Sequence, residues 1–262
     1  MKQPKQQLDS KIRIKLGEMY YNVNNMLRYG TADMFHKFCI EISTKCNRHC
    51  SYCPNSKYSR GNFRMDWDLF KKIIENLKSI NYNQWIIPSF YNEPLLMKDL
   101  REWLSYIKQE LPKAKIWIFT NGDYLNEDRF KELDAYVDRW LVTNHGNLNK
   151  DIPDSPKITV ENLSYYSTRG GLVDVPNLVL MERCTIPSYT FQVLYNGDCV
   201  ICCDDYFGKY IFGNIGEELL MDIWNKPLYK EARKKLRNGI APFEICTHCL
   251  KKEWEHPKGN FG

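Results

Sequence analysis

The chain has 262 residues, 37 of them Lys or Arg against 32 Asp or Glu, for a net charge of +5. That length suits one large domain or a medium one with a smaller companion, and so mild and scattered a charge lacks the basic stripe that specific nucleic-acid binding needs. Ten cysteines fall in clusters, which argues against a disulfide framework; the polar opening Met1-Lys2-Gln3-Pro4, with no apolar core behind it and no run of membrane-spanning length, points to a cytoplasmic, reducing setting.

Residues 1–35 read as an N-terminal extension, with Ile12, Ile14, Leu16, Met19 and Tyr20 as its apolar positions. The strand-like run 38–44 follows and leads straight into Cys46, Cys50 and Cys53. Asp66 then caps a helix that shows Leu69, Phe70, Ile73, Ile74 and Leu77 on one face. A strand at 85–90 ends in Tyr91-Asn92-Glu93-Pro94. A second helix marked by Leu100, Trp103, Leu104 and Ile107 precedes a strand at 116–119, which ends in Thr120-Asn121-Gly122. Phe130, Leu133 and Val137 mark a third helix before a strand at 140–142, which ends in Thr143-Asn144-His145-Gly146, and a weaker strand is expected at 158–160. Period two alternating with period 3.6 in this order predicts an α/β fold of right-handed parallel βαβ units. In a parallel barrel or partial barrel the polar clusters after the strands gather on one face, where such folds place their sites. The basic stretch 226–237, with Lys230, Arg233, Lys234 and Lys235, reads as a solvated helix face.

Three thiolates on one short loop can hold three irons of a [4Fe-4S] cluster and leave the fourth open for chemistry. A zinc knuckle closed by His49 is the competing use of the same loop. The segment Cys46-Asn47-Arg48-His49-Cys50-Ser51-Tyr52-Cys53-Pro54 resembles the signature of the radical S-adenosylmethionine (radical SAM) enzymes. The resemblance extends to Asn92-Glu93-Pro94, in the place of the family's Gly-Gly-Glu-Pro motif, and implies that Glu93 receives the methionyl ammonium of SAM. Asn92 stands where glycine is usual, a residue that tolerates positive φ. Thr120, Asn121 and Asn144 correspond to positions beside the cofactor, and Tyr52 to the aromatic near the adenine. The family's shared chemistry is thereby implied: an electron from flavodoxin or ferredoxin, reductive cleavage of SAM to a 5′-deoxyadenosyl radical, and abstraction of a substrate hydrogen.

Further along, Cys184, Gly197, Cys202, Cys246 and Cys249 resemble the spacing of the twitch domain, the shortened SPASM domain that holds one auxiliary [4Fe-4S] cluster. Four thiolates would also close a zinc site. Cys39, Cys199 and Cys203 read as small buried residues without a ligand role, although the choice among Cys199, Cys202 and Cys203 is open from spacing. The resemblance implies a shortened partial (β/α) barrel over 36–175 and a small twitch domain of β-hairpin and helix over 176–262. The stretch before Cys184 has room for about five strands and four helices.

That economy resembles the family's cyclitol dehydrogenases of aminoglycoside biosynthesis. It implies oxidation of an alcohol on a carbohydrate, cyclitol or nucleoside-like small molecule, with the auxiliary cluster as electron acceptor. By position, His145, Arg169 and Asp204 are the candidates for the base beside the substrate hydroxyl. The alternatives are a maturase acting on a ribosomal peptide and a non-enzymatic iron–sulfur or zinc module. An N-terminal extension too short for a peptide-recognition domain favours the small molecule, and Glu93 favours an enzyme.

Overall fold

A computed structural model describes residues 16–251 of the chain, apart from 18, 21, 163–166, 176 and 177. Ile12 and Ile14 lie outside the described residues. The chain divides into two compact units, Met1–Phe35 and His36–Gly262. In the first, residues 22–29 are helical, and the buried Asn25 donates through Nδ2 to the Met34 carbonyl at 3.2 Å.

The second unit is built on one eight-stranded sheet of order β5-β4-β3-β2-β1-β6-β7-β8. Its strands are β1 (Lys37–Ile40), β2 (Trp85–Ile87), β3 (Lys115–Thr120), β4 (Arg139–Asn144), β5 (Ile158–Asn162), β6 (Thr190–Val193), β7 (Asp198–Val200) and β8 (Ile211–Asn214). β1 to β5 are parallel to one another, as the alternating periodicity requires. β6 adds to the free edge of β1, also in parallel, with Phe38 opposite Phe191. β7 and β8 then run antiparallel as the hairpin of the C-terminal region.

Three helices connect the parallel strands: α1 (Trp67–Ser79), α2 (Leu100–Glu110) and α3 (Glu127–Leu133). Asp66 caps α1 by accepting from the backbone N–H of Asp68 and Leu69, and the buried Phe70, Ile73, Ile74 and Leu77 face the sheet. Phe70 meets Trp103 of α2 at 4.4 Å between ring centroids. The passage from β4 to β5 contains no helix, so the barrel has three α-helices where four had room. Phe38 and Phe191 stack at 5.3 Å on the covered side of the sheet, which locks β6 to β1 by packing as well as by backbone hydrogen bonds.

After β5 come the short α4 (Ile186–Tyr189), then α5 (Leu220–Asn225), α6 (Pro227–Arg237) and α7 (Glu244–Thr247). Arg233 departs from the expected solvated face of α6. It is 0% exposed, lies 3.6 Å from the Trp224 ring centroid and donates to the Trp224 carbonyl at 3.0 Å. Its neighbours Lys230 and Lys234 do reach solvent, and Lys235 is half-buried. Near the end of the described chain, Met181 pairs with the 249–251 segment through Met181 N–H to Cys249 O and Lys251 N–H to Met181 O. Gly239, at φ +76°, permits the close approach of this region, because a Cβ there would stand 2.2 Å from the Glu182 carbonyl oxygen.

Candidate active site

The carboxyl ends of β1 to β4 and the start of the C-terminal region surround a cavity of about 500 Å³. Cys46, Cys50 and Cys53 all line it, together with Tyr52, Asn92, Glu93, Thr120, Asn121, His145 and Arg169. The sequence-derived loops therefore converge, with Asn144 and Asp204 as exceptions. Asn144 donates to Asn162 Oδ1 at 2.8 Å and accepts from Gly146 N–H; its side chain braces the ends of β4 and β5 while Thr143 and His145 face the cavity. An alternating strand turns neighbouring side chains to opposite faces, which explains the exchange.

The cysteine loop is fixed to the loop after β3. Arg48 Nε donates to Asp123 Oδ2 at 2.7 Å, Asn47 Nδ2 donates to the same oxygen at 2.6 Å, and Asn121 Nδ2 donates to Asn47 Oδ1 at 2.9 Å. His49 instead turns to the backbone oxygen of Asn55, with Nδ1 at 3.1 Å, and is not among the cavity residues.

Glu93 is the hub of these loops. Its carboxylate accepts from Thr120 Oγ1 at 2.7 Å, Asn121 N–H at 2.8 Å and Leu95 N–H at 3.1 Å, while its own N–H donates to the Lys45 carbonyl. Burial pushes its pKa up to about 7, against the pull of those three donors. Glu93 thus clamps the ends of β2 and β3 while one edge of it faces the cavity. Asn92 is not at positive φ: among the described non-glycine residues only Asn81 and Arg169 are. It fits for a different reason, since its Oδ1 accepts from Phe90 N–H at 2.8 Å and closes the turn itself.

Tyr52 stacks on His145 with ring centroids 5.6 Å apart and planes at 14°, and its hydroxyl meets His145 Nδ1. His145 has a lowered pKa, from burial first and Arg48 second. Arg169 lies elsewhere in the cavity, at φ +51°, with its guanidinium 3.4 Å from Asp204 Oδ1. Burial opposes its charge, but Tyr91 and Asp204 outweigh burial and its pKa is raised. Arg169 is consequently a hydrogen-bond donor and cannot serve as a base near neutrality. Asp204 stands behind it, outside the cavity lining, where it accepts from Ser167 Oγ at 3.1 Å and from the Cys249 thiol at 3.5 Å. The three candidate bases thus separate into His145 beside Tyr52 and a linked Arg169–Asp204 pair.

The second group of thiols comes from the segment before α4, the turn after β7, and α7. Cys184, Cys246 and Cys249 feel one another electrostatically, and Cys202 feels Cys246. Cys199 is 0% exposed on β7, where its Sγ points to the Gly197 carbonyl, away from this group. Cys203 and Cys39 differ from the expected inert core residues: both line the cavity. Burial pushes the thiols of Cys46 to about 11 and Cys246 to about 12, so ligation has to displace their protons. Among the described residues no three Cys, His, Asp or Glu side chains gather closely enough for one metal ion. Three thiols on the first loop and four in the second group are donor sets of the kind that iron–sulfur clusters take.

Sequence reading missed Lys37, Thr190 and Gln192, which also line the cavity. Their signal was present in the alternation Lys-Phe-Cys-Ile of β1 and Thr-Phe-Gln-Val of β6, where every second residue is polar in strands that lie inside a sheet.

Comparison with known proteins agrees with this geometry. Residues 40–154 match the Radical SAM superfamily, and residues 184–250 match the SPASM iron–sulfur cluster-binding domain. The chain is 32% identical to the S-adenosyl-L-methionine-dependent 2-deoxy-scyllo-inosamine dehydrogenase of Niallia circulans over 232 residues, covering 82% of this chain and 93% of that protein. It is 35% identical to a probable GTP 3′,8-cyclase of Methanococcus maripaludis over 117 residues, covering 44% of this chain and 38% of the cyclase. The crystal structure of BtrN in complex with AdoMet and 2-DOIA superposes with a TM-score of 0.74 at 33% identity, covering 79% of this chain and 88% of that one.

Proposed function

The chain belongs to the radical SAM superfamily, with an iron–sulfur SPASM domain after its barrel, and on that premise we propose that it oxidises a secondary alcohol of a compact polyhydroxylated molecule, a cyclitol or sugar, to the ketone. The observation that carries this reading is one continuous cavity that runs from the Cys46–Cys50–Cys53 loop to Arg169 and Cys203, with Cys249 of the second group joined to it through Asp204, the partner of Arg169. When bound, SAM on the first cluster supplies hydrogen-atom abstraction, and the auxiliary cluster supplies a one-electron acceptor.

In this reading Cys46, Cys50 and Cys53 hold the first cluster, and Cys184, Cys202, Cys246 and Cys249 hold the second. Glu93, with Thr120 and Asn121 fixed on it, presents acceptor edges to the methionyl ammonium. Asn92 shapes the same turn, and Tyr52 covers the adenine with His145 stacked behind it. Arg169, held protonated beside Asp204, orients the substrate hydroxyl, and His145, which lines the same cavity with a ring kept neutral by burial, takes the proton that leaves that oxygen. The electron donor is a low-potential carrier of the flavodoxin or ferredoxin type, and the setting is the reducing cytoplasm. Among the described residues no helix is long and apolar enough to cross a membrane.

Anaerobic reconstitution of both clusters, followed by dithionite, SAM and a panel of cyclitols, tests the proposal. It expects 5′-deoxyadenosine and ketone in equal amounts from one panel member. Absence of 5′-deoxyadenosine from protein with both clusters verified would sink it.

A further inference from the structure

The inner face of the β1–β6 seam has a composition that its position in the sheet does not explain. Strands paired on both sides and covered by helices read as nearly continuous apolar runs. Phe38, Ile40, Phe191 and Val193 obey that rule and are 0% exposed. Their alternates Lys37, Cys39, Thr190 and Gln192 do not, and all four line the cavity. Lys37 pairs in register with Thr190, and Cys39 with Gln192, so the four side chains form one patch on the wall of the same cavity.

Two members of the patch are incompletely matched by the protein. Gln192 is 2% exposed, yet its Nε2 has no hydrogen-bond partner. A buried amide donor in that state is retained at a cost unless a ligand completes it. The Lys37 ammonium makes no ion pair or hydrogen bond with any described residue and rests 5.1 Å from the Trp117 ring centroid. The other charges around the cavity are already satisfied. Arg48 pairs with Asp123 and Arg169 with Asp204, and the Glu93 carboxylate is held by three donors.

Resting on the radical SAM reading above, we propose that this patch is the floor of the substrate subsite and that it binds an oxyanionic group of the substrate, a carboxylate or a phosphate ester. Lys37 is the counter-ion and Gln192 Nε2 the directional donor, and Thr190 supplies a hydroxyl on the same rung. An ammonium group of the substrate would face Lys37 across this floor with no free carboxylate beside it. The substrate class is therefore an acidic polyol, such as a sugar acid or a sugar phosphate, in contrast to the inosamine in the name of the Niallia circulans relative.

The test uses SAM-loaded holoenzyme with oxidised clusters, so that no turnover intervenes, in equilibrium dialysis against radiolabelled inorganic phosphate and malonate at millimolar concentrations. At least one anion is expected to occupy a single saturable site per chain; phosphate alone points to a phosphate ester, malonate alone to a carboxylate. Lys37→Met and Gln192→Leu should each weaken that binding at least about tenfold, the loss expected for a charge-assisted hydrogen bond, and Lys37→Arg should retain it. Failure of both anions to saturate, or binding unchanged in both variants, overturns the proposal. Cleavage of SAM by the same wild-type preparation under dithionite separates the two failures: cleavage without anion binding removes the oxyanion floor and leaves the enzymatic reading in place.

Discussion

Arg60 and Glu41 show how much a single buried pair does near the cavity. Glu41 is 0% exposed, and its carboxylate meets the Arg60 guanidinium through both oxygens. The guanidinium in turn lies 4.5 Å from the Tyr206 ring centroid and 5.2 Å from that of Phe90, so the pair ties the end of β1 to the loop after β2 and to the C-terminal region. Removal of one partner strands a buried charge, and Arg60→Met should cost about 3–5 kcal/mol in urea denaturation. The double variant Glu41→Gln with Arg60→Met should recover much of that loss, and strictly additive losses would contradict the pairing. His36 provides the pH-dependent counterpart. Burial first, and then Lys37, lower its pKa from 6.5 to about 4, so the folded chain keeps the ring neutral where the unfolded chain would protonate it. The stability this neutral ring contributes is present above pH 6.5 and is lost as pH falls towards 4. His36→Phe should flatten the melting temperature against pH across that window by the equivalent of about 3 kcal/mol relative to wild type, with both proteins in the same cluster state.

At the scale of elements, what was legible in the sequence was local. Asp66 before an apolar face with a 3.6 period announced α1, and its carboxylate does accept from Asp68 and Leu69 N–H. Replacement by Ala should cost about 1 kcal/mol, seen as a fall in the urea midpoint without a change in slope. The polar clusters after β1, β2 and β3 were equally legible, because parallel topology alone brings strand ends to one face. What the sequence hid depended on distant partners. Asn144 looked like its neighbours, but the register of β4 against β5, with Asn144 opposite Asn162, decides that its side chain leaves the cavity. Arg233 looked like a solvated charge until Trp224 and Tyr229 enclosed it. Cys39 and Cys203 read as core thiols because free cysteine usually is core; only the pairing of β1 with β6 shows that the side occupied by Cys39 is the cavity wall. The alternation in β1 and β6 was visible throughout, but its meaning required knowing that these strands are neighbours.

At the scale of the whole molecule, the β1–β6 pairing makes the barrel and the iron–sulfur region parts of one sheet. β1 pairs with β2 on one side and β6 on the other, so it is an interior strand only when the C-terminal region is present. A chain cut after residue 175 would leave the backbone groups of β1 unpaired along that edge and expose Phe38 where Phe191 now stacks. Such an apolar, unpaired edge favours aggregation. The complementary piece, from residue 176, would retain β6, β7 and β8 with Phe191 uncovered, and a small antiparallel sheet with an open apolar face is marginal by itself. Each piece expressed alone should therefore be insoluble, while the two expressed together should copurify as a complex that carries both clusters, measured as about eight irons per complex. Two separately soluble pieces, each with its own cooperative melt and no association, would show that the shared sheet is not what holds the second cluster against the cavity.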